Sequence, residues 1–341
     1  MKILITGGAG FIGCNTAQHF ATLGHEIFII DNLSRPTART NLQWMTDNKI
    51  KFNFTHIDIT QRPLLETFFK KHTFNAIIHL AGQVAVTSSV ENPRHDFDIN
   101  AHGTFNLLEC IRIHNPNTIF INASTNKVYG KIENRPVTEE KDCYRYQDLS
   151  YDGVSEKQHL DFYSPYGCSK GIADQYTLDY ARIYGLKTVS VRQSCIYGPH
   201  QFGIEDQGWI AWFIIAILTN KPITIYGNGK QVRDVLFVSD LVHFYERAIN
   251  NIEKAKGLAF NIGGGKNNTL SLLQFFDVLS NITKKKITYK FDTWRPGDQL
   301  IFTSDLARAE KLLNFKPAIS YTQGIQKTHD WLSKYYKKTK I

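Results

Sequence analysis

Long apolar runs are missing from this sequence. The longest nearly pure one, Trp209–Leu218, has ten residues, about half of the roughly 20 a membrane helix needs. It is expected as a buried or interface helix. An export signal is missing as well. Only Lys2 is basic near the start, and the first apolar stretch breaks at Thr6-Gly7-Gly8 before any small-residue cleavage site. A cytoplasmic protein without a membrane span is the expectation. Cysteine is scarce: Cys14, Cys110, Cys143, Cys168 and Cys195 are an odd five, far apart, with no CxxC pair and no Cys/His ligand spacing. Reduced thiols are expected, and a metal site is not. No RRM, KH or zinc-finger signature accompanies the positive charge, so nucleic acid is not an expected partner. Internal repeats and low-complexity segments are absent.

What is present is ordinary globular material. Hydrophobic residues make up 42% and charged residues 21% of 341, which excludes general disorder, collagen and coiled coil. The length suits about two domains, or one large α/β unit with an appended lobe. Forty Lys+Arg against 31 Asp+Glu give a net charge of +9. Lys284-Lys285-Lys286 and Lys337-Lys338 read as solvated surface. The functional readings of the excess are an anionic small substrate or an anionic membrane surface.

Short apolar strands alternate with amphipathic stretches in the first half. Strands are expected at 2–6, 26–31, 51–58, 76–80, 118–123 and 188–192. Helices are expected at 10–23, 62–72, 96–114 and 165–184. That alternation means βαβ units and a Rossmann-type α/β fold, a doubly wound parallel sheet. After about residue 195, turn signals cluster at Gly198-Pro199, Gly227-Asn228-Gly229 and Gly263-Gly264-Gly265. The expected division is a dinucleotide-binding domain over 1–195 and a smaller substrate lobe over 196–341. A segment near 234–264 is expected to return to the first domain.

The strongest local signal is Thr6-Gly7-Gly8-Ala9-Gly10-Phe11-Ile12-Gly13, between the first strand and first helix. Glycines at 7, 10 and 13 let backbone approach a pyrophosphate, and the helix N-terminus adds amide donors. Asp31 ends the second strand, where a carboxylate can accept hydrogen bonds from an adenosine ribose and repel a 2′-phosphate. NAD is favoured over NADP, although Arg35 and Arg39 keep NADP open. Asp58 ends the third strand and either meets the adenine edge or caps a turn.

Tyr166 and Lys170 stand one helical turn apart on one face. A lysine ammonium beside a phenol stabilises phenolate, so a lowered tyrosine pKa is expected, with acid and base roles near neutral pH. Thr125, just past a strand, offers a hydroxyl to the reacting oxygen. Ligands of open parallel sheets gather at the carboxyl ends of strands, and the glycine loop, Asp31, Thr125 and Tyr166 all map to that edge.

These motifs, with His79-Leu80-Ala81-Gly82, Asn100, Ser124–Gly130, Tyr197-Gly198-Pro199 and Arg233-Asp234-Val235, resemble the extended short-chain dehydrogenase/reductase family of nucleotide-sugar epimerases and dehydratases. The resemblance spans essentially the whole chain. It implies a tightly bound NAD, regenerated in each turnover. Tyr166 is then the acid/base, Lys170 tunes it and contacts the nicotinamide ribose, and Thr125 is the hydroxyl partner with Ser124 in reserve. Gly7, Gly10, Phe11, Ile12, Gly13, Asp31, Asn32, Asp58, Ile59, Leu80, Ala81, Gly82 and Asn100 are implied at the cofactor. Asn100 fits a structural role equally well. Gln83, Asn126, Arg233 and Arg295 are implied at the substrate, the arginines facing its diphosphate.

The long stretches 79–93, 164–182 and 206–213 are most similar to CDP-hexose 2-epimerases. They imply inversion at C2 through a transient 2-keto sugar. A UDP-sugar 4-epimerase is the alternative, since only the pose of the sugar separates C2 from C4. A 4,6-dehydratase fits less well: that subfamily carries Asp-Glu after the threonine, and Asn126-Lys127 stand here. A silent binding protein that kept the fold is disfavoured because Tyr166 and Lys170 are both present. The resemblance also implies a homo-oligomer, dimer or tetramer, and a role in lipopolysaccharide O-antigen. His79 and His200 read as a buried and a loop histidine, and Trp209, Trp212 and Phe213 as packing.

Overall fold

The computed structural model describes residues 1–130, 132, 135–294 and 299–338. Strands β1 (Lys2–Thr6), β2 (Glu26–Asp31), β3 (Asn53–His56), β4 (Ala76–His79) and β5 (Ile119–Thr125) lie in one sheet with Lys187–Gln193 and Leu258–Ile262. Their order is Leu258–Ile262, Lys187–Gln193, β5, β4, β1, β2, β3. Every neighbouring pair runs parallel. Helices cover both faces, which is why Ile3, Leu4 and Ile5 are all fully buried in consecutive positions. This is the doubly wound α/β fold the alternation predicts.

Two apolar layers flank the sheet. One packs Cys14, Ala17 and Phe20 of the first helix against Leu241, Phe244, Tyr245 and Ala248 of the Val238–Asn250 helix. The other joins Leu65, Phe68 and Phe69 to Leu107, Leu108, Ile111 and Tyr180. A third core lies outside the sheet. It gathers Ile210, Phe213, Ile214, Phe275, Phe276, Leu279 and Leu332 around a small sheet containing Val232–Phe237. The apolar run Trp209–Leu218 is a helix buried there. No described helix is long and apolar enough to cross a membrane.

Three elements differ from the sequence reading. The third strand shrinks to Asn53–His56, an exposed sheet edge with no second neighbour to extend it. The helix expected at 96–114 starts at Pro93 and widens into a π-helical turn over Asp98–His102. A helix over Ala38–Asp47 was not expected. It buries only Ala38, Asn41 and Met45, a stripe too thin to stand out in the sequence. Asn41 donates to the Ala9 carbonyl at 3.1 Å and so steadies the glycine loop.

Candidate active site

Register brings the carboxyl ends of the central strands level: Thr6 pairs with Ile30 and His79, and His79 with Asn122. Strand order reverses between β1 and β4, where such sheets open a ligand crevice. A cleft lies there, and its floor is the glycine loop. Gly7 holds φ +66, a left-handed conformation that favours glycine. A Cβ on Gly13 would stand 2.5 Å from the Gly7 carbonyl oxygen, so helix and loop touch through missing side chains. The Asp31 carboxylate accepts from the Leu33 amide at 2.8 Å and the Ala9 amide at 3.1 Å. Burial raises its pKa, and those amides oppose the rise. Bare backbone at the helix start, with a half-buried carboxylate beside it, fits the pyrophosphate and ribose of a dinucleotide.

Gly7, Gly10, Phe11, Ile12, Gly13, Asp31, Asn32, Asp58, Ile59, Leu80, Ala81 and Gly82 all line this cleft, with Tyr166 and Lys170 at its chemical end. Asp58 is the turn cap that was one of its two expected readings. It lines the cleft, and it caps its own turn through the Thr60 amide at 2.9 Å while accepting from Asn32 at 2.8 Å. Burial opposes its ionisation, but those hydrogen bonds outweigh it and hold the carboxyl below its usual range.

Asn100 is not in the cleft wall. Its amide donates to the Gln83 carbonyl, Asp96 and Ser169, and its oxygen accepts from the Gln83 amide at 3.0 Å. The π-helical turn aims it at those groups, so it clamps the loop behind Gly82. Gln83 folds its own amide onto Ala85, at 2.7 Å in both directions. It does not line the cleft.

The Pro165–Tyr184 helix carries the reactive pair. Ser164 caps it by accepting from the Gly167 amide, and the Tyr166 amide donates to the Ser89 hydroxyl at 3.1 Å. Tyr166 is 7% exposed and Lys170 6%. The Lys170 ammonium donates to the Ala123 carbonyl at 2.5 Å. The Thr125 hydroxyl donates to Asn126 Oδ1 at 3.4 Å. It also caps the next turn by accepting from the Lys127 amide at 3.2 Å. Asn126 is buried beside it, and Ser124 lines the cleft.

The expected lowering of the phenol pKa is not found. Burial pushes Tyr166 up to about 12; the Thr125 hydroxyl and the Arg35 charge oppose this, and Asp96 adds to it. Burial also brings Lys170 down to about 8, against the charges of Asp96 and Asp174. Spacing put the two groups on one face, but a dry pocket outweighs their proximity.

Arg233 sits on the small sheet, where Val235 pairs with Cys195. Arg233 Nη1 donates to the Val232 carbonyl at 2.8 Å, and Arg233 does not line the cleft. Arg295 lies outside the described residues. Away from the cleft, Glu140, Asp142 and Cys143 draw together. Glu140 is committed to Arg145 at 2.7 Å, and burial with neighbouring carboxylates pushes the thiol up to about 11, which disfavours a thiolate ligand.

His79 is the buried histidine expected. Thr6 and Thr104 hydroxyls flank its ring at 2.6 and 2.9 Å, and Thr104 donates onward to the Asn100 carbonyl at 2.6 Å. The sequence reading missed several wall residues: Ser34 and Thr37 from the loop after β2, and Gln201, Phe202, Gly203 and Gln207 from the loop after Tyr197. Their signal was faint, since loop residues without charge or pattern reveal a site only when folded around it. Asp96 was missed too. It is 1% exposed and accepts from the Ser169 hydroxyl, one residue before Lys170.

A family profile described as GDP-mannose 4,6 dehydratase matches residues 4–328. The chain is 44% identical over 338 residues to CDP-paratose 2-epimerase of Salmonella typhi, an alignment covering 98% of this chain and 99% of that one. It is 32% identical over 334 residues to UDP-glucuronate 4-epimerase of Thermodesulfobacterium geofontis, covering 96% and 95%. Among solved structures, UDP-glucuronic acid 4-epimerase from Bacillus cereus, in complex with UDP-glucuronic acid and NAD, has a TM-score of 0.84 at 26% identity, covering 98% of this chain and 100% of that one. Likeness that runs almost from end to end makes this chain a member of the GDP-mannose 4,6 dehydratase family, in the epimerase and dehydratase branch of the extended short-chain dehydrogenases/reductases.

Proposed function

We propose that the chain is an NAD-dependent isomerase of a nucleotide-activated hexose, converting CDP-paratose to CDP-tyvelose by inversion at C2. The observation that carries this reading is the 44% identity, over nearly the full length, with a CDP-paratose 2-epimerase. The cleft supports it. Gly7, Gly10 and Gly13 hold the cofactor pyrophosphate, Asp31 and Asn32 its adenosine ribose, and Lys170 its nicotinamide ribose. Bound NAD supplies a hydride acceptor and, once reduced, a donor.

The chain's own residues manage the proton and the pose. Tyr166 receives the proton of the sugar 2-hydroxyl and returns it to the 2-keto oxygen after the sugar has turned its other face. Thr125 holds the same sugar oxygen. At pH 7, Lys170 with a pKa of about 8 is mostly ammonium, so it keeps positive charge behind the phenol as the proton moves. Arg233, and Arg295 by resemblance, anchor the diphosphate while the sugar rotates. Net redox change is zero.

A UDP-sugar 4-epimerase is the second reading, favoured by the 32% identity with a UDP-glucuronate 4-epimerase. Dehydration is weaker, because buried Asn126 beside Thr125 is an amide and supplies no acid. Incubation with a panel of CDP- and UDP-hexoses, with products identified by NMR, separates the two epimerases. Inversion at C2 of CDP-paratose supports the proposal; inversion at C4 of a UDP-sugar with CDP-paratose untouched overturns it.

The reading extends to a cytoplasmic homo-oligomer serving lipopolysaccharide O-antigen. Exposed Tyr176, Ile183 and Tyr184 on the Pro165–Tyr184 helix support self-association there.

A further inference from the structure

Arg35 and Gln207 reach the cleft from opposite sides. Arg35 lies in the loop after β2, four residues beyond Asp31. Gln207 lies just before the Trp209–Leu218 helix, 172 positions away, and both line the cleft. Arg35 Nη1 donates to Gln207 Oε1 at 2.9 Å. We propose that Arg35 and Gln207 form a clasp across the dinucleotide, so that its retention depends on this hydrogen bond as well as on the glycine loop. The proposal rests on the NAD reading above.

The two halves of the clasp are built differently. Gln207 stands on a fixed platform. Its backbone pairs with Ile204 in both directions, at 2.9 and 3.0 Å. Upstream, Asn15 donates to the Pro199 carbonyl at 3.0 Å. His200, 4% exposed, packs between the rings of Trp44 and Trp331 at centroid distances of 3.8 and 4.6 Å. Burial lowers the His200 pKa to about 4, so this wedge stays neutral over the working range. Arg35, in contrast, is an arm on an exposed loop. Both Arg35 and Tyr166 line the cleft, and the Arg35 charge is felt by the phenol.

The chemistry suits a dinucleotide between them. A guanidinium has five N–H donors in a planar fork. With one directed to Gln207, the others suit phosphate oxygens. Gln201 lines the same wall at 6% exposure. Its amide nitrogen donates to the Ile196 carbonyl at 3.2 Å, and its oxygen is buried with no hydrogen-bond partner among the described residues. That oxygen is an acceptor ready for a ribose hydroxyl or a carboxamide.

The test measures NAD content of the purified protein and the rate at which bound NAD exchanges with excess labelled NAD, with no turnover involved. Arg35→Met and Gln207→Ala are each expected to release NAD about tenfold faster, the effect of losing a hydrogen bond with one charged partner. The double variant should release it no faster than Arg35→Met, because both changes break one bond. Unchanged thermal midpoints without NAD would show the fold intact. Fast release from Arg35→Met alone, with Gln207→Ala at the wild-type rate, overturns the clasp and leaves a simple phosphate charge. Wild-type retention in both variants also overturns the clasp alone. A wild type that neither carries nor takes up NAD overturns the cofactor reading and the clasp with it.

Discussion

Burial pushes the Tyr166 phenol up to about 12, so in the proposed reaction it must be ionised before it can receive the proton of the sugar 2-hydroxyl. Tyr166 is almost wholly protonated at neutral pH, so its base role depends on charge brought next to it. The charge already felt by the phenol is that of Arg35, while burial brings Lys170, one helical turn away, down to about 8. Tyr166→Phe removes the proposed proton carrier, and kcat should fall by about 10²–10⁴-fold. NAD content and thermal midpoint should stay at wild-type values, since the phenol is not a fold-wide tie. Retained turnover in a steady-state assay would remove Tyr166 from the mechanism. The sequence disclosed who stands next to whom at this site. It did not disclose how dry the site is, because burial comes from distant segments closing over it.

His79 is the second residue whose ionisation matters. Burial, then the charge of Lys170, lowers its pKa from 6.5 to about 3. Thr104 donates to Asn100, so it must accept from Nε2–H, which leaves Nδ1 to accept from Thr6; only the neutral ring fits both. The folded state therefore resists a proton that the unfolded chain takes up below pH 6.5. Stability from this group is fully present above pH 6.5 and is lost as pH falls from there toward 3. The expected slope is about 1.4 kcal/mol per pH unit. Thermal midpoints between pH 7 and 4 should fall less steeply in His79→Gln than in the wild type, and equal slopes would contradict this role.

At the scale of elements, strong patterns were legible and thin ones were not. β1, β2 and the Pro165–Tyr184 helix have the boundaries the sequence suggested, because apolar runs and a Ser-Pro start define them. The Ala38–Asp47 helix and the π-helical turn at Asp98–His102 were invisible, since tertiary contacts rather than local preference make them. A buried ion pair is among the ties that hold the Pro165–Tyr184 helix to the sheet. Asp174, fully buried, takes Arg192 Nη2 at 2.8 Å, and Arg192 also donates to the Tyr129 hydroxyl at 3.0 Å. Burial opposes ionisation of Asp174, but Arg192 outweighs it and holds the carboxyl below its usual value. Asp174→Ala leaves a buried guanidinium uncompensated, and about 3–5 kcal/mol of stability should disappear. Chemical denaturation checks this, and a loss below about 1 kcal/mol would mean that solvent or another acid reaches Arg192.

Across the whole molecule, the cofactor half was far easier to read than the substrate half. Glycines at fixed spacing and a strand-end aspartate carry their meaning locally. The sugar's pose does not. In the proposed function it depends on Asn126 after β5, Arg233 on the small sheet, and loops that meet only after folding. Labelled substrate follows the proposed oxidation at C2 directly. CDP-paratose carrying deuterium at C2, followed by NMR in ordinary water, is that measurement. Oxidation and re-reduction in place predicts CDP-tyvelose with deuterium still at the inverted C2; a C2 proton drawn from solvent, or no inversion at C2, would contradict the account.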